Sequence, residues 1–249
     1  MKAFREYKGK KILAFLRNGD YAHAGEEEAI HLVMDKFGKS KSREILDAAC
    51  GLGGTAYYIQ KNGWGKVTGF DIEKASINYA KGKYPDVDFH VSDACKIGEL
   101  FQNKFDLICL FGSFLCFRNQ KASLSSLNIT AKNGATIAIS DYLNLSEKNE
   151  SNPIYRDDSA QYPFIPVDLK NIEQLLKSTG WQLQETINLT EKFELWYTKL
   201  ISKIHAQKNA IKKNFGEDAY ENACRRYDEI LNAIIKKEIG GVLIYAKKI

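Results

Sequence analysis

The segment 45–59, ILDAACGLGGTAYYI, constrains the fold of this chain more than any other stretch. It reads as a buried apolar strand, a turn with three glycines, and the start of a helix. Such a turn brings backbone N–H groups and a helix N-terminus close to a ligand. The segment therefore predicts a site for a nucleotide-like molecule at the carboxyl end of the first strand.

Strand-like and helix-like segments alternate around this turn. The predicted strands read REILDAA, KVTGFD, VDFHVSD, FDLICLF, GATIAISD, WQLQETINL and GGVLIYAKK, and helical segments separate them. Alternation at this pitch is typical of a doubly wound, mostly parallel sheet with helices on both faces. The sequence thus predicts an α/β fold with a seven-stranded sheet.

The 249 residues are predicted to form one domain. Residues 1–40 are assigned to an N-terminal helical cap, 41–141 to the cofactor-binding core, and 167–249 to a C-terminal part that completes the sheet. Residues 142–166 contain three of the four prolines and interrupt the alternation. They are predicted to be a lid or insertion facing the substrate, with a simple connector as the alternative.

The composition excludes several classes of protein. No apolar run approaches the ~18 residues of a membrane span, and no signal-peptide pattern is visible. Five cysteines without a CxxC pair predict a reduced, cytoplasmic protein, and four histidines without ligand spacing predict no metal site. The net charge of +5 is mild, and basic residues alternate with acidic ones. The oligomeric state stays open.

The glycine turn satisfies two fingerprints at once. Gly51, Gly53 and Ala56 match G-x-G-x-x-[GA], and Asp71 follows 20 residues after Gly51, which is the dinucleotide pattern. The same turn matches D-x-[GA]-x-G-x-G, the pattern of S-adenosylmethionine methyltransferases, when Asp47 is included.

Electrostatics separates these two interpretations. A carboxylate at Asp47 would repel a pyrophosphate, whereas it would attract the ammonium and sulfonium groups of S-adenosylmethionine. Asp93 follows the third strand, where it can hydrogen-bond an adenine edge, and Asp71 can accept bonds from ribose hydroxyls under either interpretation. About 40 residues precede the turn, enough to cover a small cofactor. We therefore favour S-adenosylmethionine, and a nicotinamide-dependent reductase remains an alternative.

The chain as a whole resembles the class I S-adenosylmethionine-dependent methyltransferases. The stretches ILDAACGLGG, VTGFDIEKASINYAK, VDFHVSDA, FDLICLFGSFLCF and GATIAISDY occur in that family's order. Within it, NGDYAHAGEEEA, GLGG and FELWY…GGVLIYAKK resemble the small-molecule group that includes phosphoethanolamine N-methyltransferases. Together with the turn, the resemblance implies these cofactor-binding residues: Tyr21, Ala22, His23, Asp47, Ala49, Gly51, Gly53, Asp71, Ile72, Asp93, Ala94 and Phe111.

The resemblance also implies a catalytic set of Tyr7, His23 and Cys116. Tyr7 matches the family's N-terminal tyrosine, whereas Cys116 and Phe111 stand where the family has a histidine and an arginine. Aromatic and lid residues complete the predicted substrate pocket, namely Phe114, Phe117, Tyr142, Tyr155, Arg156, Tyr162 and Trp196.

The predicted function is methyl transfer from S-adenosylmethionine to a small-molecule acceptor, at nitrogen, by in-line displacement. The apolar residues around Cys116 leave open a carbon or oxygen acceptor on a less polar molecule. A cofactor-binding module without catalysis also remains open. A nucleic-acid methyltransferase is disfavoured, because CLFGSFL stands where base-methylating enzymes carry [DN]-P-P-[YF], and no dense basic patch is visible.

Overall fold

The computed structural model describes residues 6–146 and 164–249. Within these ranges, seven strands form one sheet in the order β3-β2-β1-β4-β5-β7-β6, and ten α-helices surround it. The strands are β1 Glu44–Ala48, β2 Lys66–Asp71, β3 Asp88–Val91, β4 Phe105–Phe111, β5 Ala131–Asn144, β6 Trp181–Asn188 and β7 Ile239–Lys248. The helices are α1 Tyr7–Leu16, α2 Glu26–Met34, α3 Gly54–Lys61, α4 Lys74–Lys83, α5 Ile97–Leu100, α6 Gln120–Thr130, α7 Ile172–Lys177, α8 Thr190–Ala206, α9 Lys208–Phe215 and α10 Glu217–Ile235.

The direction of the strands confirms the predicted fold class. Strands β1 to β5 pair in parallel, while β7 runs antiparallel between β5 and β6. An all-parallel dinucleotide fold has the order 3-2-1-4-5-6, so the antiparallel β7 distinguishes this sheet. The strand order reverses between β1 and β4, which opens a crevice at their carboxyl ends, the usual ligand position in such sheets.

Successive residues of the central strands pack into two different hydrophobic layers, one on each face of the sheet. In β1, Ile45 packs with the layer of α2, α3, α8 and α10, whereas Leu46 packs with the layer of α6 and α7. In β4, Leu107 and Ile108 divide in the same way. Both faces of the strands are covered, which explains why they read as continuous apolar runs.

Two predicted boundaries differ from the structure. The sequence pattern predicts a long helical stretch over 191–213, and the structure divides it at Gln207 into α8 and α9. Strand β5 continues through Tyr142 to Asn144 because it pairs with β7 as far as Ile239, so the first residues of the predicted lid belong to the sheet. The lid candidates Tyr155, Arg156 and Tyr162 lie outside the described residues. The single-domain assignment stays a prediction.

The N-terminus of α6 is capped by the side chain of Asn119, and substitutions there test how much the cap stabilises the protein. Asn119 is exposed, and its side-chain oxygen accepts a hydrogen bond from the Ala122 N–H at 2.9 Å. We expect Asn119→Ala to lower the free energy of unfolding by about 1 kcal/mol, and Asn119→Gly by only a few tenths. Urea unfolding monitored by circular dichroism measures both. Equal losses for the two variants would contradict a capping role.

Candidate active site

A cavity of about 950 Å³ occupies the crevice at the carboxyl ends of the parallel strands. The strand ends form its floor, while residues of α1 and α10 form its opposite wall. This volume is at the upper end of the range for small-molecule sites, so the cavity has room for a nucleotide-sized cofactor and a small second molecule.

The glycine turn between β1 and α3 borders one end of the cavity. Gly51 lines the cavity with φ of +56°, and the Ala49 backbone is also left-handed with φ of +60°. Gly53 has another function, because a Cβ on it would approach Phe89 Cζ to 2.6 Å. Its φ of +84° and this close contact let the turn pack on β3, so Gly53 supports the cavity without lining it.

Asp47 places a buried carboxylate at the same end of the cavity. The residue is 2% exposed, and among the described residues its Oδ2 atom has no hydrogen-bond partner. Burial, with a smaller contribution from the nearby Asp71, raises the pKa of Asp47 to about 7. An unpartnered buried carboxylate oxygen on a residue that lines the cavity fits a cationic ligand group.

Asp71, the last residue of β2, is the second carboxylate at this end. The Gly51 N–H donates to its Oδ2 atom at 2.9 Å, and the Glu73 N–H donates to its Oδ1 atom at 2.9 Å. Lys10 from α1 also reaches this carboxylate, with 3.1 Å between its Nζ atom and Asp71 Oδ2. The structure thus brings the N-terminal cap onto the predicted ribose acid, a contact that the sequence analysis missed.

The predicted adenine residues line the neighbouring part of the wall. Asp93 and Ala94 follow β3 and border the cavity, and the Asp93 Oδ1 atom accepts a hydrogen bond from the Cys95 N–H at 2.8 Å. Ile72 borders the same region and is 65% exposed, unusual for an isoleucine. An exposed apolar side chain beside a carboxylate fits the face and edge of a purine ring.

His23 lies between the glycine turn and the tip of β4. Its Nδ1 atom is 3.1 Å from the Ala24 carbonyl oxygen, which requires a proton on Nδ1, so Nε2 accepts from the Thr55 hydroxyl at 3.0 Å. Burial lowers the pKa of His23 to about 4, and the ring is therefore a neutral imidazole. The Phe111 ring lies 5.0 Å from it, and Ala22, His23 and Phe111 all line the cavity.

The end of the cavity away from the glycine turn contains phenols and guanidinium groups. Tyr142 from β5 is hydrogen-bonded through its hydroxyl to the Tyr197 hydroxyl, and the Tyr197 and Tyr227 rings stack with centroids 6.0 Å apart. Arg17 is 4% exposed, donates to Glu26 Oε1 at 3.0 Å, and has an Nε atom without a partner among the described residues. Three further arginines line the cavity, namely Arg118, Arg225 and Arg226.

Asp141 fixes the turn between β4 and α6, which carries Cys116 and Phe117 to the cavity. It is fully buried, and its Oδ2 atom accepts hydrogen bonds from the Phe114 N–H at 2.7 Å and the Leu115 N–H at 3.2 Å. Burial raises the pKa of Asp141 to about 7, although backbone N–H groups oppose the shift. The predicted site residues Cys116, Phe117 and Tyr142 line the cavity, and their roles in catalysis or substrate binding remain proposals.

Two predicted cap residues do not line the cavity. The Tyr7 N–H donates to Glu73, and the Tyr7 ring packs 6.0 Å from the Tyr79 ring on the outer side of α4. Tyr21 is 8% exposed, and its hydroxyl donates to Glu27 at 3.2 Å, a residue that does not line the cavity either. Tyr21 contributes indirectly, because its ring packs edge-on against His23.

Two predicted pocket aromatics are core residues instead. Phe114 is fully buried and packs edge-on against Phe117 in the layer with α6. Trp196 covers Gly25, and its indole N–H donates to Glu28 at 2.8 Å. We therefore withdraw both as pocket residues, since large aromatic side chains pack into cores more often than they line sites.

Residues 6–146 and 164–249 contain no group of three or more His, Cys, Asp and Glu side chains arranged to hold a metal ion. Across the same ranges, none of the helices has the length and hydropathy needed to cross a bilayer.

The fold agrees with comparisons to known proteins. The family described as "Methyltransferase domain" matches residues 39–239, so the chain belongs to this methyltransferase family. The predicted class, an S-adenosylmethionine-dependent methyltransferase with a Rossmann-like sheet, is confirmed at the level of family and fold.

The chain is also similar to individual proteins. It is 24% identical over 226 residues to a phosphoethanolamine N-methyltransferase of Triticum aestivum, covering 87% of this chain and 44% of that protein. The chain thus spans less than half the length of this relative. It also resembles phosphoethanolamine N-methyltransferase 2 of Haemonchus contortus, solved with phosphomonomethylethanolamine and S-adenosylhomocysteine, at a TM-score of 0.85 and 20% identity over 99% of this chain and 60% of that one. The cyclopropane synthase MmaA2 of Mycobacterium tuberculosis matches at a TM-score of 0.80 and 15% identity over 98% and 96%.

Proposed function

We propose that this chain transfers a methyl group from S-adenosylmethionine to the nitrogen of a small amine that also carries an anionic group. One observation carries the proposal. A single cavity has a carboxylate end at Asp47 and Asp71 and a guanidinium and phenol end at Arg17 and Tyr142. The names of the curated relatives, which are phosphoethanolamine N-methyltransferases, support both the nitrogen and the anionic group.

The residues at the carboxylate end fit the cofactor. The unpartnered Asp47 oxygen would accept the methionine ammonium, Asp71 the ribose hydroxyls, and Asp93 the adenine amino group. Gly51 lets the backbone approach the ligand closely because it has no side chain on the cavity side. When bound, the cofactor supplies an electrophilic methyl group on a sulfonium.

The protein contributes alignment, exclusion of water and control of a proton. Phe111 and Phe117 provide an apolar wall between the two ends of the cavity, where the methyl group has to pass. An amine that binds in its neutral form already presents a free lone pair, so a weak proton acceptor is sufficient to take the proton released after methyl transfer. The neutral His23 is our first candidate, Cys116 would serve only as the thiolate, and Tyr7 is dropped because it lies outside the cavity.

The same apolar wall supports a second candidate, methylation of carbon or oxygen on a less polar acceptor. Phe111 and Cys116 stand at positions where the resembled group has polar residues, which makes the middle of the cavity more apolar. A test with both kinds of acceptor decides between the two functions.

The experiment measures methyl transfer from methyl-labelled S-adenosylmethionine to phosphoethanolamine, ethanolamine and a set of apolar acceptors. We expect labelled product from phosphoethanolamine in preference to ethanolamine. Transfer only to an apolar acceptor would establish the second candidate. Failure to bind S-adenosylmethionine in calorimetry would overturn the proposal altogether.

Cofactor binding is expected to depend on pH through Asp47. With a pKa of about 7 in the free protein, its carboxyl is mostly protonated at pH 6, whereas a cationic ligand group requires the ionised form. Binding therefore releases a proton, and affinity should rise by about eightfold between pH 6 and pH 7.5, since the ionised fraction rises from about one tenth to about three quarters.

Calorimetry in buffers of different ionisation enthalpy measures this released proton. In Asp47→Asn the affinity should be weaker and its rise with pH should disappear. A variant that keeps the full pH dependence would assign the proton to another group, such as Asp141, whose pKa is also raised to about 7.

A further inference from the structure

The Lys10 ammonium is bonded to the Asp71 carboxylate, which the ribose hydroxyls of the cofactor are expected to use. The side chain enters from α1 and is 8% exposed. Its Nζ atom lies 3.2 Å and 3.1 Å from the two Asp71 oxygens, 3.2 Å from Glu73 Oε2 and 3.3 Å from the Ser76 hydroxyl. Its aliphatic stem crosses the glycine turn, because a Cβ on Gly51 would lie 3.8 Å from Lys10 Cδ.

The acceptor capacity of Asp71 limits what can bind there. A carboxylate has about four lone-pair positions. The Gly51 and Glu73 N–H groups take one on each oxygen, and these bonds belong to the turns that shape the site. The two remaining positions are those that Lys10 uses now and that two ribose hydroxyls need. Lys10 and the ribose cannot both be fully bonded to Asp71.

Glu73 gives the displaced ammonium another partner. It lies within salt-bridge distance of Lys10 already, and 24% of its side chain is exposed, against 6% for Asp71. A small rotation of the lysine transfers its contacts from Asp71 to Glu73 and Ser76, so the ammonium does not have to move into a buried site without a partner.

We propose that Lys10 is an internal competitor of the ribose for Asp71, and that it thereby sets the affinity for the cofactor and the rate of product release. This inference rests on the proposed function. The ligand-free site keeps Asp71 neutralised, ligand binding moves Lys10 to Glu73, and the return of Lys10 helps to expel the product.

The test is calorimetry and stopped-flow binding of S-adenosylhomocysteine to the full chain and to Lys10→Met, which keeps the apolar stem and removes the ammonium. We expect about tenfold tighter binding and slower dissociation, which corresponds to Lys10 holding Asp71 in about 90% of ligand-free molecules. Lys8→Met removes the same charge from an exposed position of α1 and should leave the affinity unchanged.

Two further binding measurements distinguish competition for Asp71 from a structural effect of the Lys10→Met substitution. Adenosine should gain affinity in Lys10→Met, whereas 2′,3′-dideoxyadenosine, which lacks the competing hydroxyls, should not. Glu73→Gln removes the second partner of Lys10, so it should weaken S-adenosylhomocysteine binding in the wild-type background and have little effect in the Lys10→Met background.

The outcomes separate this inference from the proposed function. If the wild-type chain binds no S-adenosylhomocysteine, the proposed function fails. If it binds and Lys10→Met binds equally or more weakly, the competitor role is overturned. Should Lys10→Met not fold, Lys10→Gln decides, because its neutral amide competes less strongly and should also bind more tightly than wild type.

Discussion

Replacing Asp71 by alanine is expected to weaken S-adenosylmethionine binding about 30-fold or more, close to 2 kcal/mol, because hydrogen bonds to a buried charged acceptor are lost. Asp71 is 4% exposed, so water cannot readily take its place beside the ribose. The variant also removes the acceptor of the Gly51 and Glu73 N–H groups. Calorimetry gives the affinity, and a thermal unfolding scan reports any loss of stability.

The control for this variant is Asp86→Ala, which removes an exposed carboxylate and should leave the affinity unchanged. Asp71→Asn keeps one carbonyl oxygen and should fall between wild type and alanine. If Asp71→Ala bound the cofactor as tightly as wild type while remaining folded, the ribose would have to lie elsewhere and the orientation of the cofactor in the cavity would be wrong.

The fold and the carboxylate end of the cavity could be predicted because both depend on signals local in the chain. Strand–helix alternation fixes a doubly wound sheet, and parallel strands end at one edge, so acids that follow strands meet there. Asp47, Asp71 and Asp93 all line the cavity for this reason. The glycine pattern located the turn, although it could not separate Gly51, which borders the cavity, from Gly53, which packs on Phe89.

The opposite wall could not be predicted because it is assembled from distant parts of the chain. Lys10, Leu13 and Arg17 share one face of α1 and its C-terminal turn, which a helical pattern could have shown, but nothing in the pattern says that this face meets Asp71. Tyr227 and its neighbouring arginines reach the cavity only through the packing of α10 against α8. Trp196 and Phe114 were wrongly predicted as pocket residues. The sequence alone does not distinguish an aromatic residue in the core from one that lines a site.

Arg17 supplies the second large expected effect. Its side chain is 2% exposed and is paired on one side with Glu26, while its Nε atom is left without a partner among the described residues, in the wall beside Tyr197 and Tyr227. An unpaired buried donor on a guanidinium is costly, and an anionic ligand group would satisfy it. We expect Arg17→Met to lower kcat/KM for phosphoethanolamine about 100-fold, or ~2.7 kcal/mol, and to leave the affinity for S-adenosylmethionine unchanged.

Ethanolamine separates recognition of the anion from a structural contribution of Arg17. It lacks the phosphate, so Arg17→Met should change any turnover of ethanolamine little, and the proposed preference for phosphoethanolamine over ethanolamine should collapse. Arg225→Met is the matched control, because Arg225 is exposed at the rim of the cavity and donates to Asn222, and it should cost far less. A loss of turnover shared equally by both amines would show that Arg17 supports the fold of the tyrosine cluster, and the anionic part of the acceptor would then have to bind elsewhere.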